Sequence, residues 1–309
     1  MPPITLASAL LRLVIDPDLG AGIADFSLLG PSGVYYPMMR RASPGETNSS
    51  LLASFIMAPW VNRINGAAFS FMGREHRLTV NTKDGPPMAQ HGDVRKRPWR
   101  VASVASDHAV LEFESRDHQG SNWPWAYACR VVYALDSRGL TIDLDVTNRD
   151  ASPMPAGCGH HPYFSRRLFN DLDRLHIQAP VAARYPLVKG CATAEPTPDR
   201  LTDYLAELRP VPETHVDDVF SGFSGTATLR WDASDVTLRM TASPNMSHLV
   251  VFAPHIEGKG QAPLPFIAVE PQTQVNDALN LAAKGYTGTG TVVLNPGETL
   301  RTRVRFELA

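Results

Sequence analysis

The chain has 309 residues, of which 43% are hydrophobic and 19% charged, and 29 basic against 31 acidic side chains leave a formal net charge of −2. This balance argues against nucleic acid as a partner, because binding to a phosphate backbone requires a strongly basic face. No apolar stretch approaches the roughly 20 residues that span a bilayer, and no basic segment followed by a long apolar one marks a secretory signal, so we expect no membrane partner and a cytoplasmic location.

Short runs in which apolar and polar residues alternate recur along the chain. They include Leu140 to Val146, Val236 to Met240 and Leu300 to Leu308. A period of two is typical of strands with one buried and one solvated face. Proline- and glycine-containing turns separate such runs, and only the stretch around Asp203 to Leu208 looks helical. We therefore predict an all-β fold, a single domain over residues 1–309 with two large antiparallel sheets packed face to face.

Several enzyme classes lack their motifs in this chain. There is no GxGxxG opening a βαβ unit, no GxxxxGK[ST] and no HExxH, which removes support for dinucleotide, nucleoside triphosphate and zinc-protease sites. The adjacent His160 and His161 would point to opposite faces of a strand and could not easily chelate one ion. Cys129, Cys158 and Cys191 show no CxxC spacing and are expected to be reduced. We predict no metal site.

Polar and titratable residues are concentrated in a few segments that otherwise look like strands. These segments are Trp60-Val61-Asn62-Arg63, Gln90-His91-Gly92, His161-Pro162-Tyr163-Phe164 and Glu270-Pro271-Gln272. Taken singly, each has an ordinary explanation, such as a buried ion pair or a core histidine. Together they would make a costly polar core, which is easier to explain as a binding site. Aromatic side chains beside hydrogen-bonding groups suit a sugar, so the residues favour a β-sandwich with a small polar ligand.

The order of these segments resembles the aldose 1-epimerase, or galactose mutarotase-like, family. The resemblance rests on Asn62-Arg63-Ile64, His91-Gly92, His161-Pro162-Tyr163-Phe164, Asp217-Asp218-Val219-Phe220 and Glu270-Pro271-Gln272, and it extends to about residue 280. The sequence has Asp217-Asp218-Val219 where galactose mutarotases tend to have Asp-His-Asn. This departure and the His-Pro-Tyr-Phe form resemble a divergent bacterial branch of the family.

The resemblance implies a β-supersandwich, no cofactor, and a mutarotase that interconverts the anomers of a free aldose as a monomer or homodimer. Glu270 matches the family's base on the anomeric hydroxyl, and His161 matches the acid on the ring oxygen. We expect an ionised Glu270 and a protonated His161 on opposite sides of the sugar ring. The remaining predicted substrate-binding residues are Arg63, His91, Asp217 (or its neighbour Asp218), Asn62, Trp60, Tyr163 and Gln272.

Two alternatives stay open at this point. The run Arg95-Lys96-Arg97 most simply forms a solvated loop, but it could also hold a phosphate, which would make the protein a hexose-6-phosphate mutarotase. A non-catalytic carbohydrate-binding protein on the same fold is the other alternative, because a fold does not dictate function.

Overall fold

Antiparallel strands dominate the computed structural model, which describes residues 1–83, 85–255 and 262–309. The first half of the described chain contains β1 (Ile4–Ala7), β2 (Leu11–Asp16), β3 (Gly22–Leu29), β4 (Tyr35–Met39), β5 (Ile56–Met57), β6 (Arg63–Asn65), β7 (Ala68–Phe71), β8 (Arg74–Arg77), β9 (Met88–Gln90), β10 (Arg100–Val104), β11 (His108–Glu114), β12 (Tyr127–Leu135), β13 (Gly139–Asn148) and β14 (Met154–Ala156). The second half contains β15 (Gly159–His160), β16 (Tyr163–Ser165), β17 (Leu175–Gln178), β18 (Ala183–Arg184), β19 (Leu187–Val188), β20 (Cys191–Ala192), β21 (Arg209–Pro210), β22 (Val216–Ser221), β23 (Thr226–Trp231), β24 (Val236–Ala242), β25 (His248–Ala253), β26 (Phe266–Gln272), β27 (Val292–Leu294) and β28 (Thr299–Leu308).

Two large sheets contain most of these strands. The first has 11 strands, with the main order β1-β2-β3-β4-β16-β26-β25-β22-β18 and with β15 joining β26 to β5. The second has 9 strands in the order β10-β11-β12-β13-β28-β24-β23-β17-β21. The long alternating segments predicted from the sequence are confirmed as β13, β24 and β28.

The main hydrophobic core lies between the two sheets. Phe306 of the second sheet contacts Phe26 and Phe164 of the first, with ring centroids 6.4 and 5.9 Å apart. All three side chains are buried, and full burial of one such side chain stabilises the fold by roughly 1.5–3 kcal/mol. The predicted all-β fold of large antiparallel sheets packed face to face is therefore confirmed.

Two short α-helices occur in the described residues. Helix α1 spans Arg200–Leu205, a few residues earlier than predicted, because Asp199 caps it by accepting hydrogen bonds from the amides of Leu201 and Thr202. Helix α2, Ala278–Ala283, was not predicted. In the part of the chain that the structure describes, neither helix is long and apolar enough to cross a bilayer.

Strand register brings acidic residues of distant segments to the outer face of the first sheet. Val250 pairs with both Val219 and Glu270, and Phe252 pairs with Asp217 and Ala268. Since paired residues point to the same face of a sheet, Asp217 and Glu270 share one face. The alternate residues of β25 and β26, such as Val251 and Val269, point to the inter-sheet core. Glu270 therefore faces away from that core.

Candidate active site

A buried histidine and a buried glutamate are in direct contact at this face. The Nε2 atom of His161 lies 3.1 Å from Oε1 of Glu270, and the two residues are 5% and 1% exposed. The other polar atom of each group, Nδ1 of His161 and Oε2 of Glu270, is buried with no hydrogen-bond partner in the described structure. Buried polar atoms are normally paired, so these two remain available to a ligand.

Burial shifts both members of the pair toward their neutral forms. Loss of solvation raises the pKa of Glu270 well above its ordinary value, and the charge of Asp217 adds to the rise. Loss of solvation likewise lowers the pKa of His161 well below its ordinary value, and the charge of Arg95 contributes. Both directions run against the ionised Glu270 and protonated His161 expected from the sequence. The neutral pair and the ion pair carry the same total of one proton, which can move between the two groups.

The expectation that the two groups stand on opposite sides of a sugar ring is wrong. A separation of 3.1 Å between Nε2 of His161 and Oε1 of Glu270 is a hydrogen-bond distance and leaves no room for a ring between them. In a cyclic sugar the anomeric hydroxyl and the ring oxygen are both bonded to C1. Two groups that lie side by side, as these do, can therefore act on both oxygens from one side of the ring.

Aromatic rings surround His161. The ring of Tyr163 lies 4.4 Å from it, that of Phe55 4.5 Å and that of His91 5.3 Å. His91 sits in a left-handed turn with φ 62°, and its Nδ1 lies 3.3 Å from the sulfur of Met57. Burial and the nearby charge of Arg95 lower the pKa of His91 well below its ordinary value, so a neutral imidazole is favoured at this position.

Arg63 and Asp217 form an ion pair beside the glutamate. Nη2 of Arg63 lies 3.6 Å from Oδ2 of Asp217, and Nη1 of Arg63 donates to Oδ1 of Asn62 at 3.1 Å. Asp218 instead lies 3.4 Å from Arg184. Of the two candidate aspartates, the structure brings Asp217 to Arg63 and to the face that carries Glu270.

A glycine gives the Arg63 side chain its space. Gly190 has φ +77°, and a Cβ added there would lie 2.7 Å from Cζ of Arg63. Real Cβ atoms do not approach other atoms so closely, so any larger residue would displace the guanidinium group. Gly190 therefore fixes where Arg63 can lie.

Gln272 lies two residues beyond Glu270 on the same strand and points to the same face. It is fully buried. Its Nε2 donates to Oδ1 of Asn276 at 3.5 Å, while its Oε1 is buried without a partner in the described structure. The site thus combines predicted residues from segments far apart in the sequence, namely His161, Glu270, His91, Tyr163, Arg63, Asp217, Asn62 and Gln272.

Trp60 lies elsewhere. Its indole stacks on Trp123 at 5.3 Å and is 1% exposed, in a cluster that also contains Phe69. This packing assigns it to the core rather than to a wall of the site, contrary to the prediction. Because Trp60 precedes Asn62 and Arg63 so closely, sequence proximity alone suggested the wrong role.

Sequence reasoning missed other residues around His161. Phe55 was not singled out, although it contacts both His161 and His91. The guanidinium carbon of Arg40 lies 3.9 Å from the ring centre of Tyr163, and that of Arg95 lies 5.1 Å from that of Phe55. The interpretation of Arg95-Lys96-Arg97 as a solvated loop is wrong for Arg95, which is 5% exposed. The alternative interpretation of the run, as a holder of phosphate, already draws attention to Arg95.

No metal-binding cluster is evident in residues 1–83, 85–255 and 262–309. Among them, no group of three or more histidine, cysteine, aspartate or glutamate side chains is arranged to hold an ion. His160, next to His161, pairs with Ile56 of β5, and its Nε2 is buried without a partner in the described structure. Within the described residues, Glu270 forms an ion pair with His161 and none with His160.

Comparison with known proteins gives a consistent family and fold. The sequence profile of the aldose 1-epimerase family matches residues 3–307. The uncharacterized protein YphB of Escherichia coli (strain K12) is 27% identical over 268 residues, which cover 85% of this chain and 86% of YphB. Among solved structures, a protein from Escherichia coli K12 superposes with a TM-score of 0.84 at 22% identity, covering 100% of this chain and 99% of its own. A galactose mutarotase-like protein from Clostridium acetobutylicum superposes with a TM-score of 0.82 at 17% identity, covering 99% and 95%.

Proposed function

Because the chain belongs to the aldose 1-epimerase family, we propose that it is a mutarotase, an isomerase that interconverts the α and β anomers of an aldose by acid–base ring opening. The observation that carries this proposal is the contact between His161 and Glu270 at 3.1 Å. Ring opening needs one group that accepts a proton and one that donates a proton at adjacent oxygens, and this pair offers both.

The reaction proceeds through two proton transfers that balance. The Glu270 carboxylate takes the proton of the anomeric hydroxyl while the His161 imidazolium gives a proton to the ring oxygen. The bond between C1 and the ring oxygen breaks, and C1 becomes an aldehyde carbon. Rotation about the C1–C2 bond turns the other carbonyl face toward the ring oxygen, and closure runs both transfers in reverse. General acid or base catalysis typically contributes ~10²–10⁴-fold for each group.

The opposite directions of the two pKa shifts suit a reversible reaction. After ring opening, Glu270 is neutral and His161 is neutral, the forms that burial favours. Before opening, the same single proton resides on His161, where the adjacent carboxylate stabilises it. The pair therefore acts in both directions without exchanging protons with solvent.

The remaining polar residues hold the sugar's hydroxyl groups. The ion-paired Arg63 and Asp217 present charged donors and acceptors, which make the stronger hydrogen bonds. His91, Asn62 and the unpartnered Oε1 of Gln272 supply further partners. Tyr163 and Phe55 offer ring faces against which the C–H face of a sugar can pack.

Polarimetry tests the proposal directly. Freshly dissolved α-anomers of glucose, galactose, xylose and arabinose are followed with and without catalytic amounts of protein. The proposal predicts that at least one sugar reaches anomeric equilibrium faster than its spontaneous rate. A protein that binds these sugars without accelerating any of them would instead be the non-catalytic carbohydrate-binding alternative.

A further inference from the structure

A buried arginine, Arg95, and a partly buried one, Arg40, lie near His161 and lack an acidic partner in the described residues. In residues 1–83, 85–255 and 262–309, no carboxylate oxygen lies within 4.0 Å of the guanidinium group of Arg40 or Arg95. The Nε atoms of both are buried without a partner in this part of the chain. Arg95 is 5% exposed, and burial lowers its pKa to about 10.

Several other arginines of the chain, partly buried or exposed, do have such partners. Arg12 and Arg41 both bind the buried Asp25, at 2.7 and 3.0 Å. Arg97, two residues after Arg95, binds Asp93 at 2.8 Å. A buried cation without a counter-charge costs free energy, so such cations are usually paired. Arg166 is also partly buried and without such a partner in the described residues, but among those residues Arg95 is the arginine that is buried outright, and it therefore needs an explanation.

Arg40 and Arg95 converge on the same residue. Nη2 of Arg40 donates to the carbonyl oxygens of Ser50 and Leu52 at 2.6 and 2.8 Å. Nη1 of Arg95 donates to the hydroxyl oxygen of Ser50 at 2.7 Å. Hydrogen bonds to Ser50 and Leu52 thus hold both guanidinium groups in place, leaving other N–H groups for a ligand.

Both arginines lie on the side of the site that His161 occupies. Arg40 stacks on Tyr163 and Arg95 on Phe55, and each of these rings packs directly against His161. By contrast, Arg63 is already paired with Asp217. The pair Arg40 and Arg95 is thus a second cationic centre, next to the two aromatic rings that pack against His161.

The covalent structure of an aldohexose indicates which part of the substrate would reach this centre. His161 is the group that acts on the ring oxygen in the proposed function, on which this inference rests. In a pyranose the ring oxygen is bonded to C5, and C5 carries C6. With the ring oxygen at His161, a substituent on C6 would therefore lie on the His161 side of the site, where Tyr163, Phe55 and the two arginines are found.

We propose that the substrate is an aldohexose with an anionic group on C6, held by Arg40 and Arg95. Phosphate, sulfonate and carboxylate share the chemistry that guanidinium groups recognise, namely several oxygens that accept charge-assisted hydrogen bonds. The counter-charge that Arg40 and Arg95 lack in the described residues then arrives with the substrate. A neutral sugar would leave both cations unpaired.

Two-dimensional exchange NMR on the wild-type protein tests this inference. It compares kcat/KM for mutarotation of glucose, glucose 6-phosphate, glucuronate and 6-deoxy-6-sulfoglucose. We expect at least one anionic sugar to exceed glucose by about tenfold or more, the ratio that one charge-assisted hydrogen bond supports. The three anionic sugars also distinguish phosphate, carboxylate and sulfonate as the preferred group.

A matched pair of variants links the preference to Arg95. Arg95→Gln should reduce the ratio of kcat/KM for the preferred anionic sugar over glucose by about tenfold or more. Lys96→Gln removes the same formal charge from the adjacent, exposed position and should leave that ratio unchanged. If Arg95→Gln does not fold, as judged by circular dichroism, Arg95→Lys replaces it, and the wild-type ratio alone still decides.

The possible outcomes separate the inference from the proposed function. Acceleration of glucose with no preference for any anionic sugar would overturn the inference and leave the mutarotase proposal intact. Equal loss of the ratio in Arg95→Gln and Lys96→Gln would also overturn it, because general surface charge would then explain the preference. No acceleration of any sugar would contradict the proposed function, and the inference with it.

Discussion

His161 and Glu270 lie 3.1 Å apart although 109 positions separate them in the chain, and β15, β26 and their pairing bring them together. Each is almost fully buried, and each keeps one polar atom without a partner in the described structure. A purely structural ion pair would be expected to satisfy its remaining hydrogen-bonding atoms. The contact is better explained as a proton-transfer pair that addresses two adjacent oxygens of one ligand.

Replacing His161 should reduce turnover far more than replacing its neighbour. His161→Asn removes the acid at the ring oxygen, so kcat should fall by at least ~10²-fold. His160→Asn alters an equally buried imidazole that has no ion pair with Glu270 in the described residues, and its effect on kcat should be smaller. Both are measured by polarimetry on the best sugar of the wild-type panel. Equal losses in the two variants would show that disrupted packing, rather than proton transfer, explains the effect.

Replacement of Asp217 should lower kcat/KM more than replacement of its neighbour Asp218. Asp217→Asn breaks the ion pair with Arg63 and should lower kcat/KM by roughly 10-fold or more, because a charge-assisted hydrogen bond to a hydroxyl is lost. Asp218→Asn loses its contact with Arg184 and should have a smaller effect. Steady-state kinetics of both variants decides the assignment. A larger loss in Asp218→Asn would transfer the role to that residue.

Replacing Gly190 should lower activity by displacing the Arg63 side chain that lies against it. Gly190→Ala places a Cβ against Arg63 at a distance that forces the guanidinium to move, so kcat/KM should fall several-fold even where the protein stays folded. Gly285→Ala is the matched control, since Gly285 also has a positive φ, of +88°, but has no atom within 4 Å of the added Cβ. The two variants share the backbone strain, which costs roughly 1 kcal/mol. A similar loss of kcat/KM in both would refute a specific role for Gly190.

The free energy of unfolding should fall as the pH is lowered, because His160 is buried. Burial lowers the pKa of His160 to about 4, against about 6.5 in an unfolded chain. Below pH 6.5 the unfolded chain therefore binds more protons than the folded protein, and the free energy of unfolding falls until the pH reaches about 4. Between pH 7 and pH 5 this one residue accounts for about 2 kcal/mol.

Urea unfolding at pH 7 and pH 5 measures this difference. His160→Asn should reduce the difference in unfolding free energy between the two pH values by about 2 kcal/mol. His176→Asn alters a partly exposed histidine of β17 and should leave the difference as in wild type. An unchanged difference in His160→Asn would show that His160 is not held neutral in the folded protein.

Long strands with one solvated face could be predicted from the sequence. In β28, Leu300, Thr302, Val304 and Phe306 are buried while residues between them are wholly or partly exposed, so the period of two is visible. Strands of two residues, such as β5 and β15, are too short to show any period. Helix α2 also gave no signal, because its N-cap residue, Asp277, is left-handed and makes no side-chain capping bond.

The polar part of the site was predicted more completely than its surroundings. Histidine, arginine and glutamate stand out in apolar strands, so His161, Arg63 and Glu270 attract attention in the sequence. Phe55 and Arg40 carry no such signal. Phe55 reaches His161 through contacts made by β5 and β15, and such long-range strand pairing cannot be derived from local sequence.

The measurement that tests the account most directly is polarimetry with Glu270→Gln beside the wild-type protein, at equal concentration and with matched circular dichroism spectra. The substitution keeps the size of the side chain and removes its ability to accept the anomeric proton. The account predicts acceleration of mutarotation by wild type and a fall in kcat of at least ~10²-fold in the variant. Near-normal turnover by a folded Glu270→Gln protein would contradict it.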